Sequence, residues 1–200
     1  MNPLEGLLHQ VAKQFENRRQ GWALVGGLAV SIRSEPRFTR DLDIAVAVAD
    51  DPSAEALVHC LTASGFRAMA TVEQEATHRL ATVRLAPAGD RPQALMLDLL
   101  FASSGIEMEI CAEAERLEVF PDCCIPVARV HHLIVLKTLS RDDRTRPQDV
   151  ADLRQLIAVA DETDLLSAWD AARLIEERGF NRSRNLVEAV RQVWNEFRIA

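Results

Sequence analysis

The segment from Trp22 to Val48 decides the fold, and it reads WALVGGLAVSIRSEPRFTRDLDIAVAV. Its first part is the apolar run Trp22–Val25, which is followed directly by Gly26-Gly27. Residues 28–34 then have the pattern of a short helix that ends just before a proline. This part of the segment therefore predicts a strand, a glycine turn and a helix.

Two acidic residues stand at the head of the next strand. Asp41 and Asp43 precede Ile44–Val48, a run of β-branched and small apolar residues that is typical of a buried strand. Alternation along a strand puts both carboxylates on the same face, where their like charges repel. A divalent cation relieves that repulsion, and Mg²⁺ usually takes one or two carboxylates together with phosphates and water. The pair predicts a metal site, and a solvated turn is the alternative.

A third carboxylate, Asp98, lies inside a strand that is otherwise apolar on both faces, Leu95–Phe101. If this strand neighbours the one that carries Asp41 and Asp43, three carboxylates converge. Such a set can hold two Mg²⁺ ions roughly 3.5–4 Å apart for an in-line displacement at phosphorus. The alternative is that Asp98 caps a loop or pairs with an arginine. The metal hypothesis requires that all three carboxylates face one cleft.

The glycine pair predicts an anion site beside these carboxylates. Gly26 and Gly27 have no Cβ atoms, so the backbone can approach a ligand closely. Their position at the start of a helix aims free N–H groups at an anion, and a triphosphate suits such a cradle. The alternative is a tight turn with no ligand.

The rest of the chain predicts an α/β (α+β) fold with a mixed sheet, followed by a helical bundle. An amphipathic helix precedes Trp22, and everything after Val130 has helical periodicity. We expect a core at residues 1–126 and a helical region at 127–200 packed on it. The elements expected between them are a helix at 54–64, strands at 66–72, 79–85 and 94–101, a Pro/Gly-rich turn at 87–92, a helix near 107–115, extended pieces at 117–120 and 124–126, and helices at 130–140, 148–160, 164–178 and 183–198.

Composition limits the class of protein. The chain has 200 residues, of which 48% are hydrophobic, so a disordered protein is excluded. The net charge of −7 argues against a broad nucleic-acid coat, although carboxylates masked by metal would still permit a nucleotide cleft. The four cysteines show no paired C-x-x-C spacing, and we expect a reducing, cytoplasmic setting. Neither a signal peptide nor a membrane span is expected.

These motifs together resemble the minimal nucleotidyltransferases of the DNA polymerase β superfamily, and within it the AbiEii-like toxins. The resemblance covers about residues 22–156. It is carried by Leu24–Val30, Arg37–Ile44, Leu97–Leu100, Leu136-Lys137 and Arg146–Leu153. The chain has Gly26-Gly27 where the superfamily often has Gly-Ser, and Gln148 where a lysine is common.

The resemblance implies a function and roles for the carboxylates. Asp41 and Asp43 would bind the metals, and Asp98 would be the third carboxylate, close to the attacking group of the acceptor. The implied reaction moves an NMP from an NTP to a hydroxyl of RNA, tRNA, a protein or a small molecule, with Mg²⁺ or Mn²⁺. It also implies a toxin with a cognate antitoxin. The alternative is a catalytically inactive nucleotide-binding or protein-interaction module on the same fold.

The remaining candidates are nucleotide-binding residues: Gly26, Gly27, Arg37, Thr39 and Lys137. Lysine is rare in this chain, and two interpretations of Lys137 stay open: a point charge that binds a phosphate, or a helix lysine whose charged end reaches solvent. Arg37 would either bind the triphosphate or neutralise the acidic cluster.

Three further groups are interpreted mainly as structural. Asp149 and Asp152 are expected to pair with Arg141, Arg144 or Arg146 as a clasp between helices. Arginines between Arg178 and Arg191 form a basic cluster that could hold an RNA acceptor. His131 and His132 are adjacent on a helix and point about 100° apart, which disfavours joint metal binding.

Overall fold

The computed structural model describes residues 3–87 and 95–198. It confirms the mixed α/β fold. The helices are α1 (Pro3–Arg18), α2 (Gly26–Arg33), α3 (Asp51–Ala63), α4 (Glu107–Glu113), α5 (Val130–Ser140), α6 (Pro147–Val159), α7 (Glu162–Glu177) and α8 (Leu186–Arg198). The strands are β1 (Trp22–Val25), β2 (Asp41–Val46), β3 (Phe66–Glu73), β4 (Leu80–Pro87), β5 (Met96–Leu100), β6 (Glu115–Phe120) and β7 (Cys123–Val127).

The strands form one mixed sheet in the order β3-β4-β5-β2-β1-β7-β6. The pairs β2–β5 and β1–β7 are parallel, and the other neighbours are antiparallel. All four residues of β1 are buried, as expected for a strand near the centre of a sheet that is covered on both faces. The important consequence is that β2, with Asp41 and Asp43, lies directly beside β5, with Asp98.

Helix α2 begins two residues earlier than the sequence pattern predicts. Gly26 and Gly27 are its first residues and not a separate turn, and Val25 precedes them as the N-cap with no side-chain capping bond. Gly26 has a φ of 66°, a left-handed value that glycine adopts at little cost. The first turn of α2 therefore starts immediately at the end of β1.

The helical half is built around α5. This helix packs against α6, α7 and α8, and α2 also packs on it. Its residues are buried on nearly all sides, which explains the apolar run Leu133–Leu136. Helix α7 starts before the predicted position because Asp161 and Asp164 form a capping box. Helix α8 starts after it, at Leu186.

One continuous hydrophobic core joins the sheet to these helices. The last strand ends at Val127 and the final helices begin at Val130. The expected domain boundary between residues 126 and 127 stays a prediction. The predicted turn at 87–92 lies outside the described residues after Pro87, as does the start of the predicted strand at Ala94. Within residues 3–87 and 95–198, no helix is both long and apolar enough to cross a membrane.

Candidate active site

The three predicted carboxylates line one cavity of about 580 Å³. Asp43 lies directly opposite Asp98 in the parallel register of β2 and β5, and Asp41 is two residues before Asp43 on the same face. Gly26, Gly27, Arg37, Thr39 and Lys137 line the same cavity. The structure therefore brings together all the residues that the sequence predicts to bind metal or nucleotide.

The carboxylates do not close into a compact cluster, however. In the described chain, one group of three potential metal ligands has all its ligand atoms within 4.8 Å of one another, and it contains none of these carboxylates. The reason is visible at Asp98. Arg84, opposite it on β4, donates from Nε to Oδ1 at 2.8 Å and from Nη2 to Oδ2 at 2.6 Å. Both oxygens of Asp98 are held by this guanidinium.

Arg84 is a site residue that sequence reasoning did not assign. The sequence does predict a strand at 79–85, and Arg84 lies near the end of that strand. The interpretation that Asp98 pairs with an arginine was open, but its partner depends on the register between β4 and β5. The charge of Asp98 in turn raises the pKa of Arg84.

Asp43 carries negative charge that its surroundings compensate poorly. Burial raises the pKa of its carboxyl to about 6, and the charge of Asp98 acts in the same direction. Lys137 and an N–H hydrogen bond from Gly27 lower the pKa only in part. A divalent cation would compensate this charge, and carboxylate oxygens are ligands of the type that Mg²⁺ prefers.

The two glycines leave the space that this arrangement needs. A Cβ on Gly26 would overlap the carboxylate of Asp43. A Cβ on Gly27 would come within 2.5 Å of Nη2 of Arg37 and within 3.1 Å of the Thr39 hydroxyl. Gly26 is therefore required by its φ and by Asp43, whereas a side chain at position 27 would displace Arg37. The bare first turn of α2 faces the cavity.

On the helical side of the cavity, residues of α5 and α6 form a network of ion pairs. Nζ of Lys137 lies 2.8 Å from Asp149 Oδ1 and 2.8 Å from Asp152 Oδ2. Arg37 donates to both oxygens of Asp152, at 2.7 and 2.8 Å. Burial acts to raise the pKa of Asp152, but the hydrogen bonds and charges of Arg37 and Lys137 outweigh it and lower the pKa.

This network changes the expected pairing of the two helix aspartates. Arg146 does bind Asp149, with 2.8 Å between Nε and Oδ2. Lys137 and Arg37 were not expected as partners, and they connect α5 and the loop before β2 to α6. Arg141 instead pairs with Asp143 and Glu196. Both predicted phosphate-binding cations thus lie at the cavity with carboxylates already beside them.

The C-terminal arginines do not form one cluster. Arg178 pairs with Glu109, Arg191 lies 3.7 Å from Glu188, and Arg184 donates to the carbonyl oxygens of Leu139 and Arg141. Arg182 differs from them because it lines the cavity. Among the described residues, no carboxylate lies within ion-pair distance of its guanidinium.

Several solved structures are similar to this one. An antigenic nucleotidyltransferase-like protein from Paracoccidioides brasiliensis matches with a TM-score of 0.57 at 17% identity, over 94% of this chain and 92% of that chain. JHP933 from Helicobacter pylori gives 0.47 at 17% identity, over 98% and 89%. The antibiotic-resistance factor ANT(2'')-Ia gives 0.49 at 18% identity, over 100% and 94%. The match to the Paracoccidioides brasiliensis protein shows that this chain has the fold of a nucleotidyltransferase-like protein.

The family follows from the sequence match. Residues 12–199 match the family described as the nucleotidyl transferase AbiEii toxin of Type IV toxin–antitoxin systems, and the chain belongs to that family. The resemblance drawn from the motifs is confirmed, and the protein is a nucleotidyltransferase. No curated protein sequence matches the chain.

Proposed function

We propose that this protein uses Mg²⁺ to transfer an NMP from an NTP to a hydroxyl group of an acceptor. The observation that carries the proposal is the placement of Asp41, Asp43 and Asp98 on one face of adjacent parallel strands, beside the glycine start of α2. Mn²⁺ would serve in the same place. The carboxylates on β2 and β5 and the backbone N–H groups at the start of α2 meet at a cavity that is large enough for a nucleotide.

The residues present fit a divalent cation. Asp41 and Asp43 offer oxygen ligands from one strand, and the raised pKa of Asp43 records negative charge without sufficient compensation. Asp98 would join them once Arg84 moves off its oxygens. When bound, Mg²⁺ would neutralise charge on the triphosphate and favour ionisation of the attacking hydroxyl.

The chain's own residues would position the reactants. N–H groups at the start of α2, the guanidinium of Arg37 and the ammonium of Lys137 would bind the triphosphate, with Thr39 beside them. The acceptor oxygen would form a bond to the α-phosphorus as the bond to pyrophosphate breaks. Asp98, nearest the acceptor, would take the hydroxyl proton at a carboxylate oxygen.

The family supports a toxin with a cognate antitoxin. Its acceptor would be RNA, tRNA or a protein. Arg182 and Arg146 at the cavity favour an acceptor that carries phosphates, so we place RNA first. The catalytically inactive module remains the second candidate. It is favoured by one observation, that Arg84 holds both oxygens of Asp98.

The test is a transfer assay with matched variants. The protein is incubated with each α-labelled NTP, Mg²⁺ or Mn²⁺, and total RNA or lysate protein. We expect metal-dependent labelling that Asp41→Ala abolishes, and the sensitivity of the product to ribonuclease or protease identifies the acceptor. Metal-dependent NTP binding without transfer would favour the inactive module. Absence of both binding and labelling would refute the proposal.

A further inference from the structure

A second group of potential metal ligands lies away from the cavity, where the end of α4 meets the start of α5. Glu113, His131 and His132 each offer one ligand atom, and these atoms all lie within 4.8 Å of one another. Nε2 of His131 is 3.4 Å from Oε2 of Glu113. None of the three residues lines the cavity.

The two imidazoles are closer than their positions on the helix predict. Their ring centroids are 4.1 Å apart with an angle of 49° between the planes. The sequence argument used the 100° rotation between adjacent residues, which fixes the Cα–Cβ directions. Side-chain rotamers at the first turn of α5 bring the rings together in spite of it. The objection to joint binding by His131 and His132 therefore does not apply here.

Both imidazoles are buried, and one ring nitrogen lacks a partner. His132 is 2% exposed and His131 is 7% exposed. Among the described residues, Nδ1 of His132 is one of two buried side-chain polar atoms without a hydrogen bond. Because no hydrogen bond occupies that nitrogen, it is available to bind a metal ion.

A further carboxylate lies behind the cluster. Nδ1 of His131 is 3.8 Å from Oδ1 of Asp164 in the first turn of α7, on the side of the ring opposite Glu113. Histidines that bind zinc commonly have a carboxylate behind them, which fixes the tautomer and the ring orientation. The nearby cation Arg129 is held by other oxygens than the Glu113 carboxylate: its Nε donates to the backbone carbonyl of Glu113 at 2.9 Å, and its Nη1 lies 3.4 Å from Glu115 Oε1.

We propose that Glu113, His131 and His132 form a zinc site that is independent of the catalytic cavity. Two imidazoles and one carboxylate, with a further position for water, are a ligand set that Zn²⁺ accepts. Mg²⁺ and Ca²⁺ prefer oxygen ligands and fit it poorly. Because Glu113 ends α4 while both histidines begin α5, the bound ion would join the sheet side of the molecule to the helical half.

The test measures zinc directly, so it does not depend on transfer activity. Zinc binding is followed by calorimetry and by competition with a chromophoric chelator, in the presence of excess Mg²⁺ and in an Asp43→Asn background that weakens the catalytic site. We expect one Zn²⁺ per chain and a higher melting temperature with zinc. Glu113→Gln and His132→Gln should each lower the affinity by about tenfold or more.

Two features keep the result interpretable. Glu113 has a side chain that is 52% exposed, so Glu113→Gln should fold even if His132→Gln does not. His59→Gln on the exposed face of α3 is the matched control and should bind zinc as the parent does. The proposal is overturned if the parent binds no zinc, or if Glu113→Gln binds it with unchanged affinity.

Discussion

The cavity has a strand wall with Asp41, Asp43 and Asp98, and a helical wall with Lys137 and Asp149, behind which lies Asp152. Aspartates on the two sides are in opposite electrostatic states. On the strand wall, Asp43 has Asp98 beside it and a pKa raised to about 6. On the helical wall, Asp152 has Arg37 and Lys137 beside it and a lowered pKa. Burial acts against the charge of both. The difference shows that the protein itself neutralises the helical wall, whereas Lys137 and Gly27 compensate the charge of Asp43 on the strand wall only in part. The proposed Mg²⁺ would supply the remaining compensation.

The largest expected effect is the loss of transfer when the strand wall is changed. Asp43→Asn or Asp41→Ala should lower kcat by about three orders of magnitude, because several kcal/mol of transition-state stabilisation depend on the metal. Steady-state transfer assays with the labelled NTP measure it. Asp122→Asn, in the turn between β6 and β7, is the control. Full activity in Asp43→Asn would mean that the strand wall is not catalytic.

On the helical wall, the expected effect is on stability. Asp152→Asn leaves the charges of Arg37 and Lys137 without their shared carboxylate, and breaking such a buried pair costs about 3–5 kcal/mol. Urea denaturation of the variant and the parent measures the difference. An unfolding free energy within about 0.5 kcal/mol of the parent value would show that the network does not hold the helices together.

On the strand wall, replacing an aspartate should raise the stability of the protein and not lower it. The folded-state pKa of Asp43, about 6, is above its ordinary value of 3.8, so the folded state binds the proton more tightly than the unfolded state. The stability that comes from protonation is complete below pH 4 and is lost as the pH rises through 6. Metal-free Asp43→Asn should therefore be more stable than the parent by up to about 3 kcal/mol at pH 7.

The pH profile distinguishes this effect from a general one. The advantage of Asp43→Asn should shrink as the pH is lowered from 7 towards 4, and saturating Mg²⁺ should reduce it at pH 7. Chemical denaturation at several pH values with a chelator present gives the curve. If the higher stability of Asp43→Asn did not depend on pH, it would come from packing and not from charge.

The smallest effect is expected at Arg84, whose side chain is 46% exposed. Arg84→Gln should lower the stability by about 1–2 kcal/mol, because the guanidinium is half-exposed but the buried carboxylate of Asp98 loses its bidentate partner. It should also tighten Mg²⁺ binding several-fold, since both oxygens of Asp98 become available. Metal titration of nucleotide binding measures this. Weaker Mg²⁺ binding in Arg84→Gln would show that the guanidinium assists the metal site and does not compete with it.

Much of the strand wall could be predicted because its signals are local. The run before Gly26, the two-residue spacing of Asp41 and Asp43, and the single polar residue in β5 each follow from the period of a strand. The contact between Asp43 and Asp98 was conditional on the order of the strands, which alternation does not specify.

The helical wall was harder to predict, for a physical reason. Asp149 and Asp152 were assigned to nearby arginines, but Lys137 and Arg37 reach them only because α2 and α5 pack on α6. Likewise Arg84 pairs with Asp98 through a register that no local pattern fixes. Ion pairs between elements depend on how the whole core packs, and a single sequence does not show that packing.

The order of the strands also determines when the site can exist. Asp43 and Asp98 are neighbours across β2 and β5, but α3, β3 and β4 lie between them in the chain, and Lys137 follows later still, on α5. A chain still emerging from the ribosome has no complete cavity until α6 has been made and has docked. On the proposed function, the enzyme would therefore be inactive during its own synthesis, because contacts this distant in sequence form late in folding.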